Sequence, residues 1–325
     1  MITLSATLEL HTAFGTPLAG DTLFGQLCWS AREHLGNTAL TQLLDGYTEG
    51  RPWLVVSDGF PAGYLPRPTV PASLSANSCG TSGDVKKNED AQQRKAEKAK
   101  HWIPCVEIDK PLPLMLAAAV NDKIAFGDDK KPVEAPQPHN TLNRLTGTTG
   151  EGEFAPYTQP QIFFARGQCM DVYCVLDESK LSLDQFTSLL QAVGNHGYGR
   201  DASIGLGKYS VKSVDANSLV QHSQANAYLT LAPCAPQGQG FDGTQSYWRV
   251  LTRFGRHGNL HGISEKPFKN PVLLAATGAV FVPQAEYTQR PFIGQGLGGN
   301  GQLSKIEPAT VHQGYAPVVG IKMEV

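Results

Sequence analysis

From Ile2 to Leu10 apolar and polar residues alternate, Ile2, Leu4, Ala6, Leu8 and Leu10 against Thr3, Ser5, Thr7 and Glu9. A period of two predicts a strand with one buried face. Beyond the turn-forming Gly15-Thr16-Pro17 the period becomes helical, with Leu23, Phe24, Leu27, Cys28, Ala31 and Leu35 on one face. Asp21 or Thr22 is placed to cap that helix and Gly36-Asn37 to end it. Trp53 to Val56 reads as a short strand, and Leu112 to Ala119 with Lys123 to Phe126 as a hairpin about Asn121-Asp122. Further on, Ile162 to Ala165 and Asp171 to Leu176 read as paired strands. Ser182 and Gln185 form a capping box ahead of the apolar stripe Leu183, Phe186, Leu189, Leu190 and Val193, with Gly194 as its stop. A strand from Lys208 to Val214 closes the series.

This order predicts an α+β chain built on a split β-α-β-β-α-β unit, the ferredoxin-like or RRM-like fold. The expected domain spans residues 1–220, with long insertions at about 73–104 and 132–160. The first insertion mixes lysines and acids with almost no large apolar residue, which leaves it no face to bury, so it reads as a mobile insertion with a solvated helix or as a nucleic-acid-facing arm anchored by Trp102. Residues 221–325 form a strand-rich C-terminal extension or a degenerate second RRM-like unit. Its expected elements are Ala227 to Leu231, a strand or helical turn around Tyr247 to Leu251, and a hairpin of Pro271 to Ala275 with Ala279 to Val282.

Composition narrows the functional classes. In 325 residues, 41% hydrophobic content supports a real core. No apolar run approaches the roughly 20 residues of a membrane helix, and the N-terminus lacks a basic-then-apolar signal, so a cytoplasmic location away from membranes is expected. The six cysteines form no C-x-x-C pair, which suggests neither a zinc site nor a disulfide framework, and no cofactor is implied. With 27 Lys plus Arg against 29 Asp plus Glu, any nucleic-acid surface has to be local. Two cationic patches qualify: Gly197 to Lys212, and Arg249 to Lys269 with Arg249, Arg253, Arg256, Lys266 and Lys269 against Glu265.

The first patch opens on Gly197-Tyr-Gly-Arg-Asp-Ala-Ser-Ile-Gly-Leu-Gly-Lys-Tyr209. Its glycines permit positive φ and close backbone approach, so N–H groups could line an anion-binding concavity beside Arg200 and Lys208. It is neither a P-loop, since Tyr209 follows Lys208, nor a dinucleotide fingerprint, since it follows a helix and lacks the third glycine.

Three segments together resemble the Cas-five type RAMP proteins of CRISPR effector complexes, nearest to the Csm-type capping subunit. They are Thr16-Pro-Leu-Ala-Gly-Asp-Thr-Leu-Phe-Gly25, His139-Asn-Thr-Leu-Asn-Arg-Leu-Thr-Gly147 and the glycine loop. The resemblance implies a non-catalytic RNA-binding subunit that caps the crRNA 5′ handle near the target nucleic acid and contacts a Cas-seven-type backbone subunit and the large subunit. Carried onto this chain, it makes RNA-binding candidates of Gly197, Gly199, Arg200, Ser203, Gly205, Gly207 and Lys208 in the loop. Asp21 falls at the first helix start, and His139, Asn140, Asn143 and Arg144 fall in an insertion that resembles a thumb. Arg253, Arg256, Lys266 and Lys269 complete the set.

The competing class is a metal-independent endoribonuclease in which His139 or His196 acts as general acid or base on a ribose 2′-hydroxyl. His257 and His261 have the i, i+4 spacing of a metal pair, but Gly258 and Gly262 break the helix that would align them.

Overall fold

The computed structural model describes residues 1–71, 74, 95–216, 219, 221–258 and 268–323. Most of the lysine-rich insertion, together with Lys266 and His261, lies outside them.

The chain begins with β1 (Ile2–Leu10), α1 (Gly20–Leu35), α2 (Asn37–Leu44), β2 (Leu54–Pro61), β3 (Tyr64–Pro66), β4 (Lys100–Pro104), α3 (Leu112–Ala117), β5 (Val120–Asn121) and α4 (Asp122–Phe126). It continues through β6 (Val133–His139), β7 (Tyr157–Phe163), β8 (Cys169–Leu176), α5 (Leu183–His196) and β9 (Tyr209–Ala216). The last third holds β10 (Ala227–Thr230), β11 (Val250–Arg253), β12 (Val272–Ala275), β13 (Val280–Phe281), β14 (Phe292–Gly298) and β15 (Val311–Ile321).

The principal sheet has the antiparallel order β2-β8-β1-β9, so the first and third strands of the β-α-β-β-α-β unit lie at its centre. This is the ferredoxin-like arrangement. On β1 the predicted alternation holds: Leu4, Ala6, Leu8 and Leu10 are buried beneath α1 and α5 with Leu23, Phe24, Leu27, Phe186, Leu189 and Leu190. The capping box of α5 is present, Ser182 accepting from Gln185 N–H and Gln185 accepting from Ser182 N–H. The helix runs past Gly194 and ends at His196 against Gly197. Gly194 serves packing instead, because a Cβ there would stand 2.3 Å from the Tyr209 carbonyl oxygen.

A second sheet, β13-β10-β15-β14, adjoins the first. The long strand β15 joins them: the buried Gln313 side-chain amide accepts from Val56 N–H at 2.9 Å and donates to Val56 C=O at 2.8 Å. A side-chain amide thus stands in for a strand neighbour at β2. One apolar cluster crosses from Phe60, Ile103, Met115 and Tyr173 to Leu229, Val280, Val319 and Ile321.

Several local expectations fail for identifiable reasons. Leu112–Ala117 and Asp122–Phe126 are short helices, not a hairpin, because Pro111 fits the entry to a helix and the Asn121 side chain accepts from Ile124 N–H as a cap. Strand β8 pairs with β1 and β2, while the segment around Ile162 belongs to β7 and pairs with β6. Likewise β12 pairs with β11 and β13 with β10, so Thr277-Gly278 links two sheets instead of turning a hairpin. Asp21 and Thr22 do not cap α1, whose N-cap is Ala19 without a side-chain bond.

Candidate nucleic-acid interface

Capping of α1 comes from elsewhere in the chain. Asp58, at the register shift within β2, accepts from Gly20 N–H at 2.8 Å, and its second oxygen accepts from the Thr277 hydroxyl. Burial pushes the Asp58 carboxyl up to about 6 against these bonds. The Tyr198 hydroxyl, on the glycine loop and fully buried, accepts from Ala19 N–H at 2.9 Å and donates to the Pro17 carbonyl at 2.9 Å. Two of the sequence motifs are therefore fastened to each other through one phenol.

The glycine loop is zipped along the segment that follows β1. Gly207 N–H donates to Ala13 C=O, Lys208 N–H to the Thr12 hydroxyl and Arg200 N–H to the Thr16 hydroxyl. Tyr198 N–H donates across the loop to Gly207 C=O, while Ile204, Gly205 and Leu206 donate within its short turn. Gly207 lies at φ +71°, and a Cβ there would fall 2.1 Å from the Tyr198 carbonyl oxygen. Asp201 holds φ +63°, the one non-glycine residue at positive φ among the described residues. Most of the N–H groups expected to line an anion site are thus consumed internally. What the loop presents outward is its side chains: Arg200, Ser203 and Lys208 are exposed.

The second insertion is a two-stranded arm. Strands β6 and β7 pair from Val133 opposite Phe163 to His139 opposite Tyr157, with Pro136 facing Pro160. Its base is pinned twice: Phe14 and Ile162 exchange backbone bonds at 2.9 and 2.8 Å, and the Arg200 guanidinium donates to Pro160 C=O at 2.5 Å. Arg200 also stands 3.3 Å from the Asp201 carboxylate. Near the tip Asn143 accepts from Leu145 N–H through its side chain and from Gly147 N–H through its carbonyl, which presents Asn140, Arg144 and Leu145 to solvent. At the neck the His139 ring stacks on Tyr157, centroids 5.3 Å apart and planes 14° apart. The structure therefore brings the glycine loop and the base of the arm together at Arg200.

The second cationic patch is divided. Arg253 turns inward and grips Asp21, Nε to Oδ2 at 2.7 Å and Nη2 to Oδ1 at 3.0 Å, and His312 Nε2 stands 3.5 Å from the same carboxylate. Burial pulls His312 down to about 4, opposing the pull of Asp21. Lys269 is also lowered by burial, with Cys28 and Asp21 nearby. Asp21 and Arg253 therefore fix the ribbon of β11 and β12 to α1, while Arg256 is exposed beside Phe268. Sequence reasoning missed Asp58, Tyr198 and His312; the i, i+1 neighbourhood of Tyr198 to glycine was the sole signal for any of them.

For catalysis, His196 is exposed at the end of α5, and among the described residues no hydrogen bond joins it to His139 or to a carboxylate. His257 is bonded to the Ser304 hydroxyl at 3.0 Å. No cluster of three metal-ligating side chains occurs among the described residues, the five described cysteines are free thiols, and no described helix is long and apolar enough to cross a membrane.

No family model and no curated protein matches the sequence. Solved structures do match, end to end. A chain of the Csm1-Csm4 cassette in complex with pppApA aligns over 100% of this chain and 99% of that one, at 14% identity and a TM-score of 0.60. A chain of the Csm3-Csm4 subcomplex in the type III-A CRISPR-Cas interference complex aligns over 99% and 100%, at 10% identity and a TM-score of 0.58. A further Csm1-Csm4 cassette, in complex with cA4, gives 15% identity and a TM-score of 0.57 over 99% of both chains. The chain has the RAMP fold of Csm4-type subunits.

Proposed function

We propose that this chain is a non-catalytic, RNA-binding subunit of a CRISPR ribonucleoprotein effector complex, holding the 5′ handle of the guide and meeting the large and backbone subunits. The observation that carries the reading is the junction at Arg200, where a rigid glycine loop with Arg200, Ser203 and Lys208 exposed meets the base of a projecting arm. A single strand would track such a surface through phosphate contacts and present its bases to the arm. The stacked His139–Tyr157 pair offers a ring face at the arm's neck, and Asn140 and Arg144 offer donors at its tip. End-to-end likeness to chains of the Csm1-Csm4 cassette and the Csm3-Csm4 subcomplex supports membership in such an assembly and the two classes of protein partner.

The test is titration of the full chain with handle-containing guide RNA across a salt series. In the folded Arg200→Ala/Lys208→Ala variant two phosphate contacts disappear, so the log K against log salt slope falls by about 1.4 for a single strand. An unchanged affinity and slope contradict the reading. The same protein incubated with repeat RNA, with and without divalent metal, is expected to leave it intact; cleavage lost in His139→Ala or His196→Ala replaces this reading with an endoribonuclease.

A further inference from the structure

The ribbon of β6 and β7 has two unlike faces. In its register Gln137 stands opposite Gln159 and His139 opposite Tyr157. Side chains two apart on a strand share a face, so these four lie on one side of the arm, with the amide pair about 7 Å along the strands from the ring pair. The other side carries Pro136, Pro138 and Pro160 with Thr158, and a proline side chain neither donates nor accepts a hydrogen bond. Both glutamines are half-buried, and among the described residues neither side-chain amide has a hydrogen-bond partner. Gln159 adjoins Pro160, whose carbonyl Arg200 grips. Along the arm the amide pair therefore lies between that grip and the stacked His139–Tyr157 rings.

We propose that this face reads the edge of one unpaired base of the bound RNA, with Gln137 and Gln159 as the specificity-determining residues of the arm. A primary amide sets one donor beside one acceptor, the pattern by which a glutamine pairs with N6 and N7 of adenine. A base splayed from a single strand exposes such an edge. The amides carry no charge, so they add base preference without adding phosphate attraction, which belongs to Arg200 and Lys208. An apolar partner surface fits less well, since docking it here would bury two amides unpaired. The proposal rests on the reading of the chain as an RNA-binding subunit and deepens it: the glycine loop holds the backbone and one face of the arm selects the base.

The experiment titrates the full chain with synthetic handle-containing guide RNA and with versions in which each base in turn is replaced by the other three. The wild type is expected to show one position at which replacement weakens binding about tenfold or more, the discrimination of a well-formed amide–base pair. Gln137→Met/Gln159→Met keeps side-chain length and removes the amides. In that variant the same replacement is expected to change affinity less than about twofold, with the circular dichroism and the salt slope as in the wild type. Thr158→Val, on the opposite face, is expected to keep the full preference. No sensitive position in the wild type, a preference that survives in the Met variant, or its loss in Thr158→Val overturns the proposal. So does a Met variant that keeps its RNA preference but loses a polypeptide co-purifying with the wild type, which would make this face a protein contact. Absence of salt-dependent RNA binding by the wild type instead contradicts the functional reading, and the proposal falls with it.

Discussion

At the scale of single residues, the site is held by groups whose neighbours in sequence give no hint of their partners. Tyr198 is the clearest case: its hydroxyl closes the N-terminal approach of α1 from across the sheet, bonding Ala19 and Pro17 at once. Tyr198→Phe keeps the ring and strands the Ala19 N–H, so a loss of about 1–3 kcal/mol is expected in urea unfolding, with an unchanged m-value. Gly207→Ala is expected to be worse than Gly205→Ala, since both glycines have positive φ but only the former drives a Cβ into the Tyr198 carbonyl; soluble yield and thermal midpoint of the two variants make the comparison. The glycines of this loop were visible in the sequence, but their use was not. Spacing suggested a cradle of free amides, whereas the fold spends most of those amides within the loop and on residues 12–16 and leaves the cations facing outward.

Among elements, the legible ones were those whose pattern is local. The alternation of β1, the stripe and capping box of α5 and the position of β9 all follow from periods of two or 3.6 and from one cap. Partner choice was not legible, because pairing of β8 with both β1 and β2, or of β12 with β11, is decided by contacts more than a hundred residues away or by alternatives of equal local merit. Strands β14 and β15 escaped notice since Phe-Ile-Gly-Gln-Gly-Leu-Gly reads as loop; Gly296 is needed there because a side chain would strike the Tyr47 carbonyl at 2.5 Å. The ties between elements also set a pH dependence. Asp58, raised to about 6, makes the folded state bind more protons between pH 4 and 6, so its contribution to stability falls as pH rises through that window. His312, lowered to about 4, makes the folded state bind fewer protons between about pH 4 and 6.5, so its contribution falls as pH drops. The two slopes oppose each other and each is at most about 1.4 kcal/mol per pH unit. Asp58→Asn is therefore expected to lose stability on acidification from pH 6 to 4, and His312→Gln to lose it on the opposite change; parallel profiles for the two variants would refute the assignment.

For the whole molecule, two sheets share a core, the glycine loop is clamped to the start of α1, and a two-stranded arm rises from their junction at Arg200. Because the arm beyond the Pro136–Pro160 pair lies outside the apolar clusters, replacing residues 140–156 by a two-residue turn is expected to leave the thermal midpoint within a few degrees while impairing target binding by the assembled complex. The charge on this protein is nearly balanced, so the proposed affinity for RNA has to be local, and the account assigns it to that junction. The most direct measurement is purification of the tagged full chain from its host, sequencing of the bound RNA with its 5′ ends mapped, and the same for Arg200→Ala/Lys208→Ala. The account expects one shared 5′ end in the wild type and its loss from the folded double variant. A heterogeneous RNA pool, or a double variant that keeps the same RNA at the same occupancy, would contradict it.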